Sequence, residues 1–407
     1  MMQGNIKLEV VMKKNDELSA LVKKFEKNFD YYHDSSKHYN EHSCRIEYID
    51  PLLKILGWDV SNDKALLPQY REVIAEDYST VNDRPDYSMT LRGVTKFFVE
   101  AKKPAVDILN ASDSAFQARK YGWNANHQIV VLTNFEYLII YDTTYVPKES
   151  DSTSVARFRK YHFKEYIAKF DEIEELLARD NVYNGKFDEF CKRNLLDSSA
   201  HKQQVDSLFL EQINQWRLSL SNILYKTSEK YHSIEKLNDV VQEFINQIVF
   251  LRICEDKNLP LYHKLKDTIN NESQVDALKV AETENYRLKG SINDESLIKV
   301  KLEELFRAAD RRYNSGMFEG KNIIFDLDNE IIIDMIESLY YPQSPYLFNI
   351  IKPNLLGKIY EVFLTEQLSL SEEGEIILTK KKECVNRSVV TTPTEIVKYM
   401  IDKTLNN

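Results

Sequence analysis

Apolar residues recur along this chain at helical spacing, then at strand spacing, then at helical spacing again. Between residues 15 and 35, Leu18, Leu21, Val22, Phe25 and Phe29 fall on one side of a 3.6-residue repeat, which predicts an amphipathic helix. A second helix is expected from about 40 to 56, with Ile46, Ile49, Leu52, Leu53 and Leu56 inward. Gly57 is its expected stop, because glycine accepts the left-handed turn that ends helices. The period then shortens. Residues 69–78 and 84–91 read as extended, and 97–102 as a strand with polar groups on one face. A helix is expected over 112–123, then two strands, 128–132 and 137–141, joined by Thr133, Asn134, Phe135 and Glu136. Helices and strands mixed in this order predict an α/β domain with a mixed central sheet flanked by helices. From about residue 160 the pattern is helical throughout. Leu237, Val241, Phe244, Ile248 and Leu251 form a buried seam, later helices centre near 296–309, 329–340 and 354–367, and Pro393 stands near the start of a last one.

Composition narrows the function classes. A length of 407 residues predicts two or three domains, and 43% hydrophobic with 29% charged residues is ordinary for a globular protein. No apolar run approaches the ~20 residues of a membrane span, and the amino terminus lacks a signal-peptide pattern. Cys44, Cys191, Cys254 and Cys384 show neither metal-ligand spacing nor a disulfide framework, so a cytoplasmic protein is expected. A net charge of -10 speaks against a general polyanion binder. Local basic groups, among them Lys102–Lys103 and Arg119–Lys120, still offer contacts to a phosphate backbone. The eight histidines show no paired ligand spacing.

The chemistry concentrates in residues 84–102. Arg84, Pro85, Asp86 and Tyr87 are followed by a turn near Gly93 and Val94, and then by Phe98, Val99, Glu100, Ala101 and Lys102. Side chains two apart on a strand share a face, so Glu100 and Lys102 point the same way. Asp86 joins them if the hairpin register is even, with Phe97, Val99 and Ala101 packing behind. Two carboxylates and an ammonium suit phosphodiester hydrolysis. Carboxylate oxygens bind Mg²⁺, for which Mn²⁺ can substitute, and Lys102 orients or deprotonates water and offsets negative charge. A Glu-x-Lys triplet alone is cheap: Glu255-Asp256-Lys257 has one too, where helix capping is the plainer reading. Gln117 and Tyr121 stand i, i+4 on the next helix and share one face, as a surface pair or as two groups reaching the site.

Pro85-Asp86 with Glu100-Ala101-Lys102 resembles the PD-(D/E)XK nucleases, and Gln117-Ala118-Arg119-Lys120-Tyr121 looks like the Q-x-x-x-Y element of Type I restriction subunits. Residues 41–45 with Ile49, Leu52, Leu53, Gly57 and Trp58 are similar to the first helix of that group. The resemblance makes Asp86 and Glu100 metal ligands, Glu41 an additional one, and Arg45 a structural or phosphate-facing residue. Lys102 and Gln117 become catalytic, and Lys103, Arg119, Lys120 and Tyr121 DNA contacts. Further on, residues 237–256, 313–318 and 355–361 are similar to the helical connector of Type IIG enzymes, which fuse nuclease, connector, adenine methyltransferase and target recognition. The domains implied are an N-terminal helix (1–38), a nuclease (39–185), a connector (186–350) and the beginning of a methyltransferase (351–407).

Residues 381–397 resemble the first methyltransferase motif, making Thr392 and Pro393 candidate contacts to S-adenosylmethionine. Ser388 stands where that family has glycine, Val390-Thr391 replaces an aromatic pair, and no Asn-Pro-Pro-Tyr occurs. Methylation is therefore not expected of these 407 residues, nor is a recognition domain. They read as the cleaving half of a larger enzyme: a truncated product, an engineered fragment, or a subunit. The expected partners are double-stranded DNA, a second copy for cutting both strands, and a separate methyltransferase or recognition chain. The rival expectation is a non-catalytic assembly subunit that docks such a chain through apolar residues 389–401.

Overall fold

The computed structural model describes residues 2–75, 84–195, 204–259, 261, 264–269, 294–319, 322–351, 354–381, 396, 400 and 403–404. The chain divides into two compact units, residues 1–205 and 206–407.

The first unit is built on a six-stranded sheet: β1 (Val73–Ala75), β2 (Tyr87–Leu91), β3 (Val94–Ala101), β4 (Ile129–Thr133), β5 (Tyr137–Asp142) and β6 (Arg157–His162), adjacent in that order. Every pairing is antiparallel except β3 with β4. That parallel step needs a crossover, and the helix α5 (Ser112–Asn124) supplies it. Among the described residues four α-helices precede β1: α1 (Met2–Lys27), α2 (Phe29–His33), α3 (Glu41–Cys44) and α4 (Asp50–Ile55). Three more follow β6: α6 (Phe170–Leu177), α7 (Arg179–Tyr183) and α8 (Lys186–Leu195). One continuous core joins Leu18, Val22 and Phe25 of α1, Leu52 of α4, Ile173 and Leu176 of α6 and Phe187 of α8. Tyr87, Met89, Phe97, Val99 and Ile140 of the sheet complete it. The opposite face packs on α5, which presses close enough that a Cβ on Gly122 would stand 2.5 Å from Cγ2 of Thr143.

The expected helix over 40–56 is broken by design of its sequence. Pro51 has no N–H to donate back into a regular helix, and the turn before it, Arg45–Ile49, is a π-turn in which the Asp50 N–H reaches the Arg45 carbonyl. The extra residue rotates the helical phase. Ile49, Leu52, Leu53 and Leu56 are buried as expected, but Ile46 is 54% exposed and Arg45 takes the inward place. Strand β6 was not expected either, since its sequence, Arg-Phe-Arg-Lys-Tyr-His, is that of a charged sheet edge, with no run of apolar residues.

The second unit is mostly helical: α9 (Val205–Thr227), α10 (Ile234–Asp256), α11 (Lys264–Ile269), α12 (Asp294–Tyr313), α13 (Asn329–Glu337) and α14 (Asn354–Thr365). All five residues of the expected α10 seam are buried. A hairpin of β7 (Glu366–Leu370) and β8 (Ile376–Lys380) follows α14, where the apolar pattern had suggested helix to residue 367.

Candidate active site

The geometry of β2 and β3 decides whether the sequence pattern becomes a site. Their turn is Arg92-Gly93, both residues at positive φ, with Leu91 opposite Val94. A two-residue turn at that place, continued without interruption, would set Asp86 opposite Val99 and on the wrong face. The ladder instead shifts between Met89 and Thr90, so that Lys96 is passed over and Tyr87 pairs with Val99. This bulge restores the even register, and Asp86 comes onto the face of Glu100. The Ala101 N–H donates to Asp86 Oδ2 at 2.8 Å, tying the strands together at this level. Phe97, Val99 and Ala101 point into the core behind.

Glu100 is 2% exposed. Its Oε1 accepts from Lys102 Nζ at 2.6 Å, while its Oε2 is buried with no hydrogen-bond partner. Burial first, then the charges of Asp86 and Glu41, push the Glu100 carboxyl up to about 8 against the pull of Lys102. Burial also raises Asp86, with the Ala101 N–H, Arg45 and Lys102 holding it partly down. Burial would lower the Lys102 ammonium, but Glu100, Glu41 and Asp86 overcome this and raise it. Two like charges sharing a desolvated place are costly unless a cation joins them, and such arrangements gather at functional sites.

The other candidates divide. Glu41, in the first turn of α3, is close enough to act on both Glu100 and Lys102. Among the described residues no three His, Cys, Asp or Glu side chains are assembled to hold a metal ion. Gln117 donates to the Tyr121 hydroxyl at 2.9 Å, so the i, i+4 pair forms, but Tyr121 is 1% exposed and acts as support for Gln117. Arg119 and Lys120, expected to face DNA, are turned inward, because α5 is enclosed along its C-terminal half. Arg119 is 1% exposed and paired with Asp151 at 2.8 Å. Lys103 is exposed, one residue beyond the site. The Glu255-Asp256-Lys257 triplet ends α10: Glu255 accepts from the Tyr340 hydroxyl and Asp256 accepts from the Phe348 N–H. Thr392 and Pro393 lie outside the described residues, as does nearly all of 389–401.

Sequence reasoning passed over Asn134, read only as part of a turn. Its side chain accepts from the Tyr137 N–H at 2.9 Å and donates to the Val106 carbonyl at 3.0 Å, while the Lys102 N–H donates to the Thr133 carbonyl. The segment leaving Lys102 is thereby pinned to the β4–β5 turn. An Asn in a turn between two apolar strands was the available signal.

Residues 71–149 match the family described as the Type I restriction enzyme R protein N terminus. The match spans β1 to β5, with Asp86, Glu100, Lys102 and Gln117, and excludes Glu41 and Arg45. The chain is 40% identical over 401 residues to the Type II restriction enzyme and methyltransferase RM.Eco57I of Escherichia coli. Over nearly its whole length the chain is thus similar to a restriction enzyme and methyltransferase. The similarity takes in 97% of this chain and 37% of the E. coli protein. The resemblance drawn from the sequence, to a fused enzyme with a part related to Type I restriction subunits, is borne out. No solved structure matches the chain. Among the described residues no helix is long and apolar enough to cross a membrane.

Proposed function

We propose that the first unit of this restriction–modification relative is a DNA endonuclease domain of the PD-(D/E)XK type that uses Mg²⁺. The observation that carries the reading is Glu100. A carboxylate this deeply buried, with one oxygen on an ammonium, the other unpartnered, and a second carboxylate across the hairpin, is unfavourable unless a further cation joins it. The side chains fit Mg²⁺, which commonly takes one or two carboxylates and fills its remaining positions with water and phosphate oxygens. Asp86 and Glu100 would hold it, with Glu41 adding negative charge nearby. When bound, the ion neutralises charge on the phosphate and acidifies water.

The chain's own groups then have distinct tasks. Lys102, held on Glu100 at 2.6 Å, would orient or deprotonate water and offset negative charge. Gln117, held by Tyr121, would orient a phosphate or Lys102. Lys103 is the exposed cation for the DNA backbone. S-adenosylmethionine would be held by Thr392 and Pro393, which lie outside the described residues.

The deciding measurement is cleavage of supercoiled plasmid by purified protein with Mg²⁺ or Mn²⁺. Wild type should nick or cut, and Lys102→Ala should lose on the order of a hundredfold or more. Metal-dependent cleavage that survives undiminished in folded Lys102→Ala protein refutes the assignment.

A further inference from the structure

Arg45 reaches the site from a position where helical periodicity reserves a place for packing. It opens the π-turn Arg45–Ile49, on the same face as buried Ile49, and is 7% exposed. Its Nη1 donates to Asp86 Oδ1 at 3.2 Å, and Nη2 to the Asp86 carbonyl at 3.4 Å. The guanidinium carbon lies 4.5 Å from the centre of the Tyr87 ring. Tyr87 is itself tethered, its hydroxyl donating to Asp50 Oδ1 at 2.8 Å. Side chain and main chain of residue 86 are thus gripped by one planar group, and that group is stacked on the next residue of the strand.

We propose that Arg45 is the positioning residue of Asp86. With Oδ2 on the Ala101 N–H and Oδ1 on Arg45, the carboxylate is held in one orientation, at the register level of Glu100. Asp86 stands outside the regular ladder, just before β2, and without Arg45 a single main-chain bond would be left to orient it. The planar fork matters as well as the charge: a lysine supplies one ammonium and cannot grip carboxylate and carbonyl together while stacking on a ring. A cation that arrives at Asp86 and Glu100 then meets a preset pair. The inference rests on the nuclease reading for the identity of that cation. The grip on Asp86 is a feature of the fold by itself.

The test uses the full chain and Mn²⁺ as probe, with free Mn²⁺ counted by electron paramagnetic resonance. Wild type, Asp86→Asn, Arg45→Met and Arg45→Lys are compared, with urea midpoints for each and for the double variant. Wild type is expected to bind Mn²⁺ and Asp86→Asn to lose it. Arg45→Met should bind about ten- to a hundredfold more weakly, the usual consequence of removing a ligand's orienting partner, with Arg45→Lys in between. The urea midpoint lost through Arg45→Met should shrink when Asp86 is already Asn. Mn²⁺ affinity unchanged in Arg45→Met, while Asp86→Asn has lost it, overturns the positioning role and leaves the nuclease reading standing. An equal loss of midpoint with and without the Asp86 carboxylate also overturns it. Absence of Mn²⁺ binding in folded wild type overturns the nuclease reading, and with it the cation step of this one.

Discussion

Single residues of the first unit carry buried charge in two different ways. Glu100 is held at a cost that a cation would remove, whereas Glu72 is fully answered by the protein. Glu72 is 4% exposed and accepts from Lys64 Nζ at 2.8 Å, from Arg179 Nε and Nη2 at 3.0 and 2.8 Å, and from the Asp59 N–H at 3.2 Å. Burial works to raise its pKa, and these bonds together lower it below the usual glutamate value. The sign follows from linkage. A carboxyl whose folded pKa is depressed contributes stability that is present above the unfolded value, near 4.5, and is lost as pH falls toward the folded one. Glu72→Gln should therefore flatten the acid limb of a stability–pH curve below about pH 5. It should also cost about 1–2 kcal/mol at neutral pH, because the bonds from Arg179 and Lys64 then fall on a neutral amide, while Arg179 keeps Asp180 and Lys64 stays half in solvent. Urea melts across that range check both, and a wild-type curve already flat between pH 3 and 6 would contradict the account.

At the scale of elements, the sequence was legible wherever one periodicity ran undisturbed. The strands now seen as β2 to β5 and the helix α5 were all anticipated within a few residues, because each carries either alternation or a continuous apolar run. Asp86, Glu100 and Lys102 were anticipated as a set, but the register that unites them was not derivable. It depends on a two-residue turn at Arg92-Gly93 and a bulge at Lys96, and either alone would give the wrong parity. Ile46, expected inward at the edge of the apolar face, is 54% exposed because the π-turn before Pro51 shifts the phase that a 3.6-residue count assumes. Arg119 and Lys120 read as surface cations because charge pattern says nothing of the neighbours that enclose a helix. Close packing of α5 yields its own prediction. A methyl at residue 122 would enter the space of Thr143, whose Cβ stands 2.9 Å and Oγ1 3.0 Å from it, and both atoms belong to a short, stiff side chain. Thr143 Oγ1 also donates to the His127 carbonyl at 2.8 Å, so it cannot swing away freely. Gly122→Ala should destabilise the first unit by about 1–3 kcal/mol. A thermal melt of the variant equal to wild type would show that the helix and the β5 end yield more easily than this packing implies.

At the scale of the whole molecule, the informative fact is that the first unit owns its core. Every member of the large apolar cluster lies between Leu18 and Leu195, and the cluster includes α1 as well as the sheet and the helices α4, α6 and α8. Asp86, Glu100, Lys102, Gln117, Glu41 and Arg45 all stand in the same unit. A domain of about 200 residues is large enough to bury a self-sufficient core. A protein of residues 1–205 should therefore fold alone, melt in a single cooperative transition, and bind Mn²⁺ with the affinity of the full chain. Truncation further in, at residue 28, should abolish that transition, since it removes Leu18, Leu21, Val22 and Phe25, all buried, from the centre of the core. Calorimetry together with Mn²⁺ titration separates the cases. A fragment that melts cooperatively but binds no Mn²⁺, when the full chain does, would mean that the second unit completes the cation site. A fragment without a transition would mean that residues after 205 are needed to fold the first. The chain spans 37% of the length of its E. coli relative.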